Sequence, residues 1–496
     1  MSFIVRRISQ GPHNYLFGFH DLVQTNAKGD MALALEVEDI SHPPLPGQTC
    51  RAGVLDLAQT TNLTNPNNPI TSQPTNFRAL HETHTWNYPQ GARQQWIGDS
   101  DLCVCNDRAA DGTLISHVAD AREGKVVDTL PFPVHCISNR KAFYINYDRV
   151  HSCGGYGYTP GLTSNLKPQT SNLKRQTSNL KPQTSNPKIP DLPSDDGLFV
   201  GDLDSKEHKL LVSIAQVAAC GEARPVKTGY PHYLTHLMLN PSGTRLCFLH
   251  RYRVPDGGET TRLMTVGVDG VNLRCLAKGF LSHFTWISDD EIFIWGKDER
   301  ALCKIREAAW LRIPGVLHLA LLAKKCLRFV RSIKTSNFKP QTSNPKPQTL
   351  TQDKAFLIIK DSDTPTMVKN GVGILTEDGH PMAQPGNLKF LVSDTYPNAE
   401  GDRWLMFYDV EKQERTNVSQ FRRLFKEPDP NAFDWKASQK GIDKRILRKF
   451  PRALYLFARS GYHTDLHPRW SHDGKTAFFD SIHEGSRQIY SVEFEV

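Results

Sequence analysis

The sequence predicts an all-β fold built from one repeated unit, and three observations predict it. Short runs of β-branched and aromatic residues alternate with Gly, Asp, Asn and Ser turns along most of the 496 residues. The same strand-and-turn order recurs around His236, His380 and His467. The last unit supplies three strands before the chain reaches Val496, and the run at 3–8 is a strand of the right kind to complete it.

The units can be justified in order. Weak ones open near His20, Gln94 and His135. A clear one runs His236-Leu-Met-Leu-Asn240, turns at Pro241-Ser-Gly243, continues through strands at 246–250 and 262–268, and ends at Asp269-Gly270. Another weak unit opens near His283. The next reads His380-Pro-Met-Ala with a Pro385-Gly386 turn and strands at 390–394 and 404–410. The last reads His467-Pro-Arg-Trp-Ser, turns at Asp473-Gly474, and carries strands at 476–480 and 487–494. Units of roughly 45–75 residues repeated this way predict a single β-propeller over 1–496, closed by the N-terminal strand. Seven blades are expected, with six as the alternative; a solenoid would show more uniform repeats and shorter loops.

Two tracts interrupt the pattern. Residues 163–188 read TSNLKPQ-TSNLKRQ-TSNLKPQ-TSNPK, and 335–349 read TSNFKPQ-TSNPKPQ-T. One apolar position per unit and recurrent Pro exclude a coiled-coil seam, and the composition predicts disorder. The whole of 301–349 reads as an insertion, with a short helix at 316–330 before the repeats. Residues 60–76 read as a long surface loop. The two tracts carry seven of the eight net positive charges, so the remainder is nearly neutral and nucleic-acid binding is not expected.

Other classes are excluded in the same way. No run approaches 18 uncharged apolar residues, so no membrane helix is expected, and the charged Arg6-Arg7 start is not secretory. Ten Cys without a C-x-x-C pair predict reduced thiols and a cytoplasmic protein. No G-x-S-x-G or H-E-x-x-H motif occurs, which excludes an appended peptidase.

In a propeller, the start of each inner strand and the end of the next lie at one mouth of the channel. His20, His135, His236, His283, His380 and His467 open six units, while Gln94-Gln95 opens the other. Asn106-Asp107, Asp148-Arg149, His250-Arg251, Asp394-Thr-Tyr396 and Asp480 end the following strands, with His483-Glu484 beyond. The opposite turns carry only turn residues. A lone His in such a place ordinarily braces neighbouring blades, but several imidazoles around one axis suit a metal or an anionic group. Asp378 and Asp465, each two residues before a His, could bind metal or orient the ring. Trp86, Tyr88, Trp96, Tyr156, Tyr158 and Tyr396 could stack on sugar rings; core positions are expected for Trp96, Trp286 and Trp470.

The unit His467-Pro-Arg-Trp-Ser-His-Asp-Gly-Lys475, with the His380-Pro unit, resembles the blade repeat of TolB-like propellers. His236-Leu-Met-Leu-Asn240-Pro241 followed by Leu246-Cys-Phe-Leu-His250 resembles the oligogalacturonate lyase family. That resemblance implies a seven-bladed, cytoplasmic, manganese-dependent propeller that cleaves uronate oligomers by β-elimination, with three His and one Gln on the metal. His236 matches the ligand motif, and His380 and His467 follow by their His-Pro context; the family's Gln two residues after the first His is Met238 here.

The expected function is therefore a metal-dependent, carbohydrate-active propeller that acts as a lyase on uronate-containing oligosaccharides. His236, His380 and His467 would hold a divalent cation, manganese by the resemblance. His20, His283 and Arg251 are the catalytic candidates, and Arg149, His250, Tyr396, Asp394 and His483 would meet the substrate. The expected partner is an acidic oligosaccharide or other small ligand, without nucleic acid or membrane, on a monomer or homodimer. The alternative is a non-catalytic propeller that binds a glycan or protein at the same mouth. A further one is a paralogue damaged by its insertions.

Overall fold

A computed structural model describes residues 3–58, 75–160, 189–313, 315–316, 354–398, 400–422, 428–447, 456 and 458–494. The repeat tracts at 163–188 and 335–349, most of the loop expected at 60–76, and the helix expected at 316–330 apart from Val316 lie outside the described residues.

The described chain is a succession of small antiparallel sheets arranged as a β-propeller. After β1 (Phe3–Arg7), one four-stranded sheet holds β2 (Asn14–Leu16), β3 (Met31–Val37), β4 (Cys50–Asp56) and β5 (Phe77–Thr83). The next holds β6 (Gln95–Trp96), β7 (Leu102–Arg108), β8 (Leu114–Asp120) and β9 (Lys125–Leu130). A third holds β10 (Cys136–Ser138), β11 (Lys141–Ile145), β12 (Gly197–Asp202) and β13 (His208–Ser213).

A seven-stranded sheet follows: β14 (Tyr233–Leu239), β15 (Arg245–Arg253), β16 (Glu259–Gly267), β17 (Arg274–Trp286), β18 (Glu291–Asp298), β19 (Ala355–Lys360) and β20 (Met367–Asn370). Its middle strand does two jobs. The first half of β17 pairs with β16 between Arg274 and Gly279, and the second half pairs with β18 from Gly279 to Trp286. One 13-residue strand thus ends one four-stranded group and opens another. Then come β21 (Met382–Gln384), β22 (Asn387–Asp394), β23 (Asp402–Asp409) and β24 (Glu414–Arg422).

The last sheet joins β25 (Arg469–Trp470), β26 (Ala477–Ser481) and β27 (Gln488–Phe494) to β1. Phe3 pairs with Phe494 and Arg7 with Tyr490, so the N-terminal strand completes the C-terminal sheet. β27 is thereby paired on both sides, and β1 becomes the outer strand of the sheet.

Alternation along the strands sends apolar side chains into the spaces between sheets. One cluster packs Val392, Leu405 and Phe407 against Trp470, Phe479 and Val492. Another packs Tyr15, Phe17 and Ala32 against Phe478 and Ile489. Trp286 and Trp470 are buried, as expected. Trp86, Tyr88 and Tyr158 are equally buried, which removes them as sugar platforms: each donates or stacks within the core rather than facing a ligand.

Short helices depart from the all-strand reading. Residues 148–149 lie not at a strand end but in α1 (Tyr147–Ser152), whose first turn is capped by the Asn146 side chain accepting from the Arg149 amide at 3.1 Å. Ser213 and Gln216 form a capping box on α2 (Ile214–Ala219). The start of the expected insertion is α3 (Arg300–Glu307), which is knit to the sheet. Glu307 accepts from Lys278 Nζ at 2.8 Å and from the Tyr252 hydroxyl at 2.6 Å. Among the described residues no helix is long and apolar enough to cross a membrane.

Candidate functional site

Phe19, just after β2, lies at the point where the inner strands converge. Ring centroids of His20, His236, His467, His283 and His380 lie 4.4, 4.7, 5.3, 6.2 and 6.3 Å from its own. The imidazoles also meet one another. His283 and His380 are 4.1 Å apart, His380 and His467 4.4 Å, and His20 and His380 5.4 Å. These five residues are spread over 448 positions of chain, and only closure of the ring brings them together.

Backbone irregularities aim them. His236 and His467 have φ of +57° and +44°, a left-handed conformation that costs a non-glycine residue on the order of 1–2 kcal/mol. The β14–β15 register shifts between Thr235 and Met238, and the β17–β18 register shifts between Leu281 and Phe284. Such bulges re-aim a side chain that regular pleating would turn away. Two glycines allow close approach. A Cβ at Gly379 would run into the Asp394 carbonyl, and Gly18, at φ +105°, presents its carbonyl to His467 Nδ1 at 3.0 Å.

Carboxylates set the charge of the cluster. Asp394 Oδ1 accepts from both the backbone nitrogen and the ring Nδ1 of His380, each at 2.8 Å, while its Oδ2 accepts from the His467 amide at 3.2 Å. His283 Nδ1 lies 3.1 Å from Asp378 Oδ1. One ligand atom from each of Asp465, His380 and His467 lies within 4.8 Å of the other two. By contrast, both ring nitrogens of His20 and Nδ1 of His236 are buried without a hydrogen-bond partner among the described residues, an uncommon and costly state for imidazole.

Titration follows from this arrangement. Burial, reinforced by neighbouring positive groups, pushes His20, His236, His283 and His467 below the ordinary histidine range. His380 goes the other way. Burial pulls it down, but the charge and hydrogen bond of Asp394 outweigh that and lift it to about 9. Burial raises Asp465, yet His463 and His380 bring it down to about 2. Neutral imidazole lone pairs thus surround one ring backed by carboxylates, a donor set that suits borderline divalent cations, with Asp394 in the place of a ligand-orienting partner. The unpartnered nitrogens of His20 and His236 fit such an ion.

The rim holds two more of the expected residues. Tyr396 sits 5.4 Å from the His380 ring and 5.9 Å from that of His283. Arg251 acts electrostatically on His236 and His283, with Glu259 3.9 Å away as counter-charge. Tyr156, under Arg459 at 4.9 Å, feels both Asp465 and Arg251.

Other expected residues are engaged elsewhere. Arg149 binds Asp196 at 2.6 Å and the carbonyls of Pro190 and His232. His250 accepts from Arg262 at 3.3 Å and faces His232 at 3.0 Å. His483 lies between Phe421 and Tyr490 beside Ser481. His135 stacks on Tyr147 and bonds its hydroxyl at 2.7 Å. Asp394 is buried behind the histidines, where it orients them rather than facing the mouth. Phe19, at the centre, carries no polar signal in the sequence; only its place beside His20 could have marked it.

No family model matches the chain, and no curated protein matches it. Among solved structures, the chain is similar to an oligogalacturonate lyase from Vibrio parahaemolyticus at 10% identity, covering 100% of this chain and 98% of that one with a TM-score of 0.49. An oligogalacturonate lyase in complex with manganese is similar at 12% identity over 99% and 93% of the two chains, with a TM-score of 0.38. TolB from Acinetobacter baumannii is similar at 13% identity over 60% and 53%, with a TM-score of 0.24. The neighbours are propeller proteins at low identity, and the sheet order described above is what defines the architecture of this chain.

Proposed function

We infer that the chain is one propeller of seven blades over 1–496, with β17 serving two of them, interrupted by insertions at 163–188 and 301–349. In this reading it is a metal-dependent lyase acting on uronate-containing oligosaccharides. The observation that carries the inference is the meeting of five imidazoles around Phe19, with both nitrogens of His20 left without a partner among the described residues.

His236, His380 and His467 would hold a divalent cation, manganese by resemblance to the oligogalacturonate lyase motif. Once bound, the cation would neutralise the uronate carboxylate and acidify the neighbouring C–H. His283 is neutral through burial, and Asp378 at 3.1 Å engages Nδ1, so Nε2 can take that proton. The C–H electron pair then forms the double bond as the glycosidic oxygen leaves and takes a proton from solvent. His20 contributes a second neutral imidazole, Arg251 a positive rim for the carboxylate, and Tyr396 an aromatic face for the sugar. Arg149, His250 and His483 have no part in this proposal, because their polar groups are committed elsewhere.

A second reading, a non-catalytic propeller binding a glycan or protein at the same mouth, is favoured by Met238. Its side chain packs on an apolar cluster and supplies no oxygen donor. The two separate in one experiment. Purified chain loaded with manganese is incubated with oligogalacturonates, and the ultraviolet absorbance of unsaturated uronate is followed. The lyase reading expects product and stoichiometric metal, both lost in His236→Ala with an unchanged circular dichroism spectrum. Absence of product from the loaded wild-type protein overturns it in favour of binding.

A further inference from the structure

A second cluster of nitrogen and oxygen donors lies between the first two four-stranded sheets, built on Asp107 rather than on the histidines around Phe19. Asp107 is on β7, His117 on the neighbouring β8, and His81 on β5 of the preceding sheet. Strand geometry explains the meeting. Cys105 pairs with His117 and Asp107 with Ile115, so His117 is the diagonal same-face neighbour of Asp107. β5 is the outer strand of its sheet and delivers His81 from the opposite side.

The geometry converges on one carboxylate oxygen. His81 Nε2 lies 2.8 Å and His117 Nε2 3.5 Å from Asp107 Oδ2, and the two rings are 4.2 Å apart. The ligand atoms all fall within 4.8 Å of one another. The remaining atoms are occupied in ways that orient the donors. His117 Nδ1 faces Thr129 Oγ1 at 3.0 Å, which leaves Nε2 to point at the carboxylate. Asp107 Oδ1 accepts from the His84 amide at 2.9 Å and from Thr83 Oγ1 at 3.3 Å. The half-exposed His84 ring stands 3.5 Å from that same oxygen.

We propose that His81, Asp107 and His117 form a second divalent-cation site of the zinc class, which clips the first sheet to the second. Two imidazoles and one carboxylate around a point is a donor set for zinc, with water or His84 in the fourth position. Cys103 and Cys105 line the small cavity beside the two histidines. Each thiol is turned to a backbone carbonyl, Cys103 to that of Ala119 at 3.6 Å and Cys105 to that of Asn106 at 3.5 Å.

The site is independent of the channel mouth, so its test must count ions at each place. Full-length chain stripped with chelator is titrated with zinc alone by calorimetry, in wild type, in H81Q/H117Q, and in H236A/H467A. The proposal expects H81Q/H117Q to bind one zinc fewer than wild type and H236A/H467A to retain the zinc lost by H81Q/H117Q. It also expects saturating zinc to raise the thermal midpoint of H236A/H467A by several degrees, with no such rise when H117Q is added. Equal zinc stoichiometry in wild type and H81Q/H117Q overturns the proposal and leaves the cluster as an ion pair. The single H117Q variant, partly exposed and off the core, serves if the double variant fails to fold. Loss of zinc at the mouth alone bears on the lyase reading and not on this one.

Discussion

Asp394 Oδ1 lies 2.8 Å from both the backbone nitrogen and the ring Nδ1 of His380. One carboxylate therefore fixes where His380 sits, which way its ring turns and what charge it carries, while its second oxygen holds the amide of His467. Two histidines of the cluster, from different sheets, share a single buried anchor.

Removing that anchor strands its partners. Asp394→Ala should cost about 3–5 kcal/mol, the range for breaking a buried ion pair by deleting one side. Asp394→Asn keeps an acceptor for the amides and should cost less, while drawing His380 down from about 9. Urea denaturation of the three proteins measures the cost, and NMR titration of the ring follows the pKa. Equal midpoints for wild type and Asp394→Ala would mean the carboxylate anchors nothing.

Ring closure depends on the first strand. β1 covers the edge of β27, and Phe3 packs on Phe407 with centroids 5.6 Å apart. Deletion of residues 1–8 should lower the thermal midpoint and, by baring the β27 edge, cause concentration-dependent association. Light scattering against concentration reads the second effect. A truncated chain as stable and monomeric as the full one would show that closure contributes little.

Acid should destabilise the fold through histidines buried away from the mouth. His151, whose Nε2 donates to the Lys440 carbonyl at 2.8 Å, is lowered by burial to about 4. His232 is lowered by burial, aided by Arg262, to about 3. Both titrate near 6.5 once unfolded, so between those values the unfolded chain binds more protons. The stability each provides is complete above about pH 6.5 and is lost as pH falls, by about 1.4 kcal/mol per pH unit for each group. Urea midpoints at successive pH values from 7 to 5 should fall steadily, and less steeply in His151→Gln. A flat profile would contradict the neutral, buried state of both rings.

Local pattern carried much of the architecture. The strands expected at 246–250, 404–410 and 487–494 correspond to β15, β23 and β27, and the run at 3–8 to β1. Period-two alternation and turn residues are short-range signals, readable without knowing what a strand packs against. The recurrence of His along the inner strands was legible for the same reason, but not its place: His135, His380 and His467 stand just before β10, β21 and β25, whereas His236 and His283 lie inside β14 and β17 and His20 follows β2. Its partners were not legible either. Arg149 was expected at the mouth, but Asn146 caps a helix there and Asp196, far along the chain, takes the guanidinium. Trp86 and Tyr88 carry the composition of a sugar platform and the burial of a core.

The sequence by itself determined an all-β repeat, its turns, its closing strand and the recurrence of His from unit to unit. Which histidines meet was decided only by tertiary structure: His236, His283, His380 and His467 join His20 around Phe19, whereas His135 turns to Tyr147 and His250 to His232. The physical reason is that alternation is a property of neighbouring residues, while convergence depends on how far each bulge and left-handed residue rotates a side chain about an axis that exists only once the ring is closed.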